Sequence, residues 1–191
     1  ASTNSVGGTV YAVDTSSASG IDWTCTVTMQ DDDTPGAVSF TIDGFDLAGN
    51  ALVQRTAVTD PTSMTFDNAA PTLSAVAISS DNAAATWAKA GDTVTLTVTA
   101  SEGLTADPVC VFQTGGADVA GAAVAVTDTS SDAGTGWTCV YTTVAGDTAG
   151  AVSFTIDGTD LAGNALEQVV DETDSSSMVF DDVVPTLTAV S

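Results

Sequence analysis

The sequence has no histidine, a single lysine (Lys89) and a single arginine (Arg55). General bases that titrate near neutrality, oxyanion clamps and phosphate ligands are built largely from those three residue types, so carboxylates, hydroxyls and thiols are all that remain for chemistry. The expectation is a protein that is not an enzyme. A carboxylate pair of the glycosidase kind needs a cleft that raises one pKa, and the aspartates here sit in short, repeated turn segments instead. Against two cations stand 22 Asp and three Glu, for a net charge of −23. Such a surface repels nucleic acid and acidic lipid headgroups, and its self-repulsion is eased by salt. No uninterrupted apolar run approaches the roughly 18 residues of a membrane span, which excludes insertion by a helix. Residue 1 is Ala and no charged or apolar leader follows, so any signal peptide is expected to lie outside these residues or to have been removed.

What is present is a repeat. Thr9–Ser17 (TVYAVDTSS) recurs at 123–131, Trp-Thr-Cys at 23 recurs at 137, and GAVSFTIDG at 36 recurs at 150. The offset from Trp23 to Trp137 is 114 residues, and it persists without insertion through DLAGNAL (46 and 160), Met64 and Met178, and Pro71 and Pro185. One period has the size of a single β-sandwich domain. The reading is therefore residues 1–70 as the C-terminal part of one domain, 71–184 as a complete domain, and 185–191 as the first strand of a following one.

Within the complete unit, Thr93–Ala100 alternates Val94, Leu96, Val98 and Ala100 with threonines, the period-2 pattern of a half-buried strand. Similar patterns occupy 72–79, 108–113, 122–127, 137–143, 151–157 and 177–180. Breakers at Ala90-Gly91-Asp92, Thr114-Gly115-Gly116 and Asp132-Ala133-Gly134 separate them, and no window supports a long amphipathic helix. Trp137, Cys139 and Tyr141, then Val152, Phe154 and Ile156, share inward register and supply most of one core. By the same register Trp23 is expected in a core, while Trp87 falls in a loop. Cys110 and Cys139 lie on separate predicted strands beside inward apolar neighbours, which favours a disulfide over two buried thiols in an oxidising compartment. Cys25 repeats Cys139 and leaves an odd cysteine. Its expected partner is a cysteine absent from this sequence, with the natural chain continuing at both ends in further 114-residue units.

FDNAAPTLSAV, GDTVTLTVTASEGL, WTCVYTT, GAVSFTIDGTDLAGN and FDDVVPTL, in this order, resemble the bacterial-type Ig-like repeats of large surface proteins, adhesin extender regions and some algal extracellular proteins. The predicted strand GAVSFTI carries neither the cysteine nor the corner tyrosine of antibody domains, a departure from that pattern. The resemblance implies an all-β fold of tandem Ig-like antiparallel β-sandwich domains and an extracellular spacer or assembly role at a cell surface or in an appendage. Its partners would be further Ig-like repeats of the same chain, with self-association into a fibre. The leading expectation is a structural subunit of an extracellular filament; the runner-up is the stalk of an adhesin. A carbohydrate-binding module, a distant third, would need a row of exposed aromatics.

Asp43, Asp46 and Asn50, with their repeats Asp157, Asp160 and Asn164, cluster side-chain oxygens within eight residues, and the domain boundary adds Asp67 or Asp181. Calcium prefers six to eight such hard oxygens and tolerates irregular geometry. The competing reading is that these residues form turns, with aspartates capping backbone N–H groups and Gly49 taking positive φ.

Overall fold

The computed structural model describes residues 11–14, 21–121, 123–131 and 134–189, the first four by backbone alone. The beginning of the 122–127 strand, the Asp132-Ala133 breaker and the last two residues of 185–191 lie outside the described residues. Among those described there is no helix. The chain divides into two compact units between Ala69 and Ala70.

The second unit is sandwich-like. Its strands are β5 (Leu73–Ser80), β6 (Trp87–Ala88), β7 (Thr93–Ala100), β8 (Val109–Thr114), β9 (Ala117–Asp118), β10 (Ala125–Asp128), β11 (Gly136–Thr142), β12 (Gly150–Asp157) and β13 (Val179–Phe180). The strands of the first unit are β1 (Tyr11–Asp14), β2 (Trp23–Thr26), β3 (Gly36–Ala37) and β4 (Thr65–Phe66). Four strands form one antiparallel sheet in the order β10-β11-β7-β5, and five form another in the order β6-β13-β12-β8-β9, in which only β6 and β13 run parallel.

Alternation decides which side chains the two sheets share. On β7 the residues Val94, Leu96, Val98 and Ala100 are buried, as are Trp137, Cys139 and Tyr141 on β11 and Val152, Phe154 and Ile156 on β12. Register then stacks them: Leu96 stands opposite Cys139 and Val98 opposite Trp137, while Phe112 stands opposite Phe154 and Cys110 opposite Ile156. Apart from Ala100 and Trp137, which cluster with Leu104, these residues fill one interior drawn from both sheets. The Cys110–Cys139 disulfide crosses that interior from β8 to β11 with a Cα–Cα distance of 6.3 Å, tying one sheet to the other. The β8–β9 hairpin turns through Gly115 and Gly116, at φ of +55° and +78°, the paired left-handed conformation of a two-residue turn that glycine adopts without strain.

The first unit repeats the second, register for register. Tyr11 pairs with Thr26 and Asp14 with Trp23, as Ala125 pairs with Val140 and Asp128 with Trp137. Gly36 pairs with Phe66 as Gly150 pairs with Phe180, and the bridge Ile42–Arg55 matches Ile156–Val169. Burial does not repeat. Trp23 is 58% exposed where Trp137 is 1%, Phe40 is 40% where Phe154 is 3%, and Met64 is 54% where Met178 is 2%. The expectation that Trp23 sits in a core is therefore corrected: its strand and register are those of Trp137, but its side chain is more than half exposed, whereas Trp137 packs with Ala100, Leu104, Leu73 and Val126. Trp87, read as a loop residue, belongs to β6 and is half-exposed. Residues 185–189 form no strand, and Leu187, the repeat of the part-buried Leu73, is fully exposed.

Candidate functional site

The aspartates singled out in the sequence occupy two copies of one loop. In the second unit the chain leaves β12, bridges Thr159 to Ala165 and turns at residues 161–164, with Gly163 at φ +98°. Asp160 organises that tip. One of its carboxylate oxygens accepts the N–H groups of Ala162 (2.8 Å), Gly163 (2.7 Å) and Asn164 (2.8 Å), and the other accepts the Asn164 Nδ2 amide at 2.8 Å. Asp157 accepts the Gln168 amide, closing the base of the loop. The first unit reproduces this with Asp46 accepting Ala48 N, Asn50 N and Asn50 Nδ2, and Asp43 accepting the Gln54 amide. Asp67 and Asp181 each accept one N–H two residues ahead, from Ala69 and Val183.

The structure thus brings Asp46 together with Asn50, and Asp160 with Asn164, as acceptor and donor. Each carboxylate accepts several N–H groups, the arrangement that the turn reading expects. Those hydrogen bonds also favour the ionised form. Asn50 holds the Asp46 carboxyl below the usual aspartate range. Burial pushes Asp160 up, but the bonds from Asn164, Gly163 and Ala162 together outweigh it and leave that carboxyl lowered as well.

Sequence reasoning missed a second polar cluster. Asp147, almost fully buried, accepts the Tyr141 hydroxyl at 2.9 and 2.8 Å, the Ala120 N–H at 2.8 Å and the Val144 N–H at 2.9 Å, while the Tyr141 oxygen accepts the Gly121 N–H at 2.9 Å. The signal that could have found it is Asp33, its repeat 114 residues earlier, which is also buried and accepts Gln30 N at 2.8 Å. Burial, then the bond to Asp147, raises the Tyr141 pKa to about 12. Because this folded value lies above that of an unfolded tyrosine, near 10, the contribution is intact below pH 10 and is lost as pH rises toward 12. Thermal unfolding measured across that window is expected to show a falling melting temperature in the native protein. Tyr141→Phe is expected to abolish the slope, at the expense of about 1–3 kcal/mol from leaving Asp147 and the Gly121 N–H short of a partner. A slope unchanged in the variant would assign the alkaline loss to other groups.

A shallow depression of 420 Å³ lies in the first unit, lined by Phe40, Ile42, Arg55, Ala57, Val58 and Asp60 among others. It is the place where the second unit keeps Phe154 and Ile156 inside its core. Among the described residues the one exposed free thiol is Cys25, in the first unit, and no helix is long and apolar enough to cross a membrane. No protein-family model matches the sequence, and neither a curated protein nor a solved structure matches the chain.

Proposed function

We propose that this chain is part of a non-enzymatic extracellular structural protein, a tandem array of Ig-like sandwich domains that spans distance in a filament, appendage or surface fibre. The observation that carries the reading is the repetition of the same strand pairs at a fixed offset of 114 residues, from the Tyr11–Thr26 pair to the Ala125–Val140 pair and from the Ile42–Arg55 bridge to the Ile156–Val169 bridge. Arrays of this kind extend by adding units, and a period long enough for one sandwich makes each unit a domain.

Strand order supports the Ig-like assignment. With β5, β7, β8, β10, β11, β12 and β13 as strands A, B, C, D, E, F and G, and the short β6 and β9 as additions at the edges of the second sheet, the orders are D-E-B-A and G-F-C, those of the Ig fold. The disulfide departs from the antibody arrangement, joining C to E rather than B to F. A cross-linked interior filled by side chains suits load-bearing better than ligand binding, and a disulfide is compatible with an oxidising, extracellular location. The charge of −23 keeps such units apart from one another and from acidic surfaces unless specific contacts or salt intervene.

Electron microscopy of the native material is the test. A helical lattice with an axial repeat matching sandwich-sized units is expected; isolated beaded strings would indicate an adhesin stalk. Compact particles without repeating units would overturn both.

A further inference from the structure

We infer that residues 171–176 are a removable guard on the outward edge of β5, and that once the guard is lifted this edge pairs with the β5 edge of a second copy of the chain. The guard lies wholly in the second unit and is independent of the array reading.

β5 ends the four-stranded sheet, with β7 on one side and no strand among the described residues on the other. Such an edge presents N–H and C=O groups at every second residue to any chain able to pair with them. Here side chains take them instead. Thr173 Oγ1 accepts the Val76 N–H at 2.8 Å, the Thr173 N–H is donated to the Val76 carbonyl at 2.9 Å, and Ser176 Oγ accepts the Ile78 N–H at 3.0 Å. The next outward N–H, on Ser80, goes to the Ala85 carbonyl at 3.0 Å. Asp174 fixes the turn between the two hydroxyl residues by accepting the Ser176 N–H at 2.9 Å. The same turn recurs in the first unit, where Asp60 accepts the Thr62 N–H at 3.2 Å and the Thr62 hydroxyl at 2.5 Å, and where Thr59 holds the place of Thr173.

Nothing in β5 itself deters a partner. Leu73–Ser80 contains neither a charged residue nor a proline, the usual deterrents on an exposed edge, although the chain as a whole carries a net charge of −23. The guard supplies the charge, with Asp171, Glu172 and Asp174 flanking Thr173. β5 is also complementary to itself. Antiparallel pairing about Ala77 sets Val76 opposite Ile78 of the copy, two buried residues whose N–H groups both point outward, and sets Ala75 opposite Ser79. Apolar side chains then continue the inner face, and small uncharged ones meet on the outer face. The guard can leave without opening the core. Asp171, Thr173, Asp174, Ser175 and Ser177 are exposed, and full burial resumes only at Met178 and Phe180. Segments with so few buried apolar contacts open locally, well below the cost of global unfolding.

The test compares the native chain with a Thr173→Val, Ser176→Ala double variant, both with Cys25 alkylated so that thiol dimers do not contribute. Sedimentation over a concentration series is expected to show the variant dimerising with a Kd at least about tenfold lower than that of the native chain. Amide exchange at Val76 and Ile78 is expected to be fast in the dilute variant and slow in the concentrated one, because the strand of the copy replaces the hydroxyls. Adding Ala77→Asp, which sets two carboxylates face to face on the pairing axis, is expected to return association to the native level. A variant that associates no more tightly than the native chain, or one indifferent to Ala77→Asp, would overturn the pairing. The native chain tests the guard even where a variant fails to fold: its Val76 and Ile78 amides are expected to exchange at least about tenfold faster than those of Leu96 and Val98 on β7. Equal rates at the two strands would mean that the segment leaves β5 only when the whole unit unfolds, and would overturn the removable guard.

Discussion

Replacing both Cys110 and Cys139 by alanine is expected to lower the stability of the second unit by about 3 to 4 kcal/mol, through restored freedom of the unfolded chain. The bond spans 29 residues that hold β9 and β10, the stretch where the chain passes from the five-stranded sheet to the four-stranded one. Without it, that crossing is fixed only by burial and by ties such as the Tyr141–Asp147 pair. Both sulfurs lie in the shared interior, so the substitutions also leave a void that adds to the loss. Denaturant unfolding should show the loss of the cross-link alone in the reduced native protein and a larger shift in the variant. A loss below about 1 kcal/mol in both would mean that the two sheets hold each other without the cross-link.

The strands of the complete unit were legible because its burial is one-sided. In β7 every second residue is apolar and every intervening one is threonine, and the same period marks β8, β11 and β12. The pairing of Cys110 with Cys139 followed from that alternation, since each cysteine keeps step with buried aromatics. What was not legible lies where pattern gives way to partners. The two-residue β6 has no period to read, and its strand character comes from lying parallel beside β13. Residues 185–189 repeat the opening of β5, yet no strand pairs with them among the described residues, and alternation alone does not make a ladder.

The loops were half legible. Asp46 with Asn50 and Asp160 with Asn164 stood out as oxygen clusters, and sequence spacing allowed either a cation or a turn. What spacing could not give is the direction of the N–H groups, which converge on Asp46 and Asp160 from the turn residues that follow each. Asp147 drew no attention because, in an acidic chain, its repetition at Asp33 reads as one more turn aspartate; its meaning lies in Tyr141, six residues earlier and across a turn.

Two tryptophans with the same neighbours, the same strand and the same pairing register offer the most direct measurement of whether one repeat is closed and the other open. Trp137 is buried against Ala100 and Leu104, with Leu73 and Val126 packed on it, while Trp23 is mostly exposed. Removing a fully buried aromatic ring forfeits its transfer free energy and leaves a cavity, so Trp137→Ala is expected to cost about 3–5 kcal/mol in unfolding free energy. Trp23→Ala, in the same 191-residue chain, is expected to change it by no more than about 0.5 kcal/mol, the range of substitutions at exposed positions. Comparable losses from the two variants would contradict the account, for Trp23 would then be buried as Trp137 is.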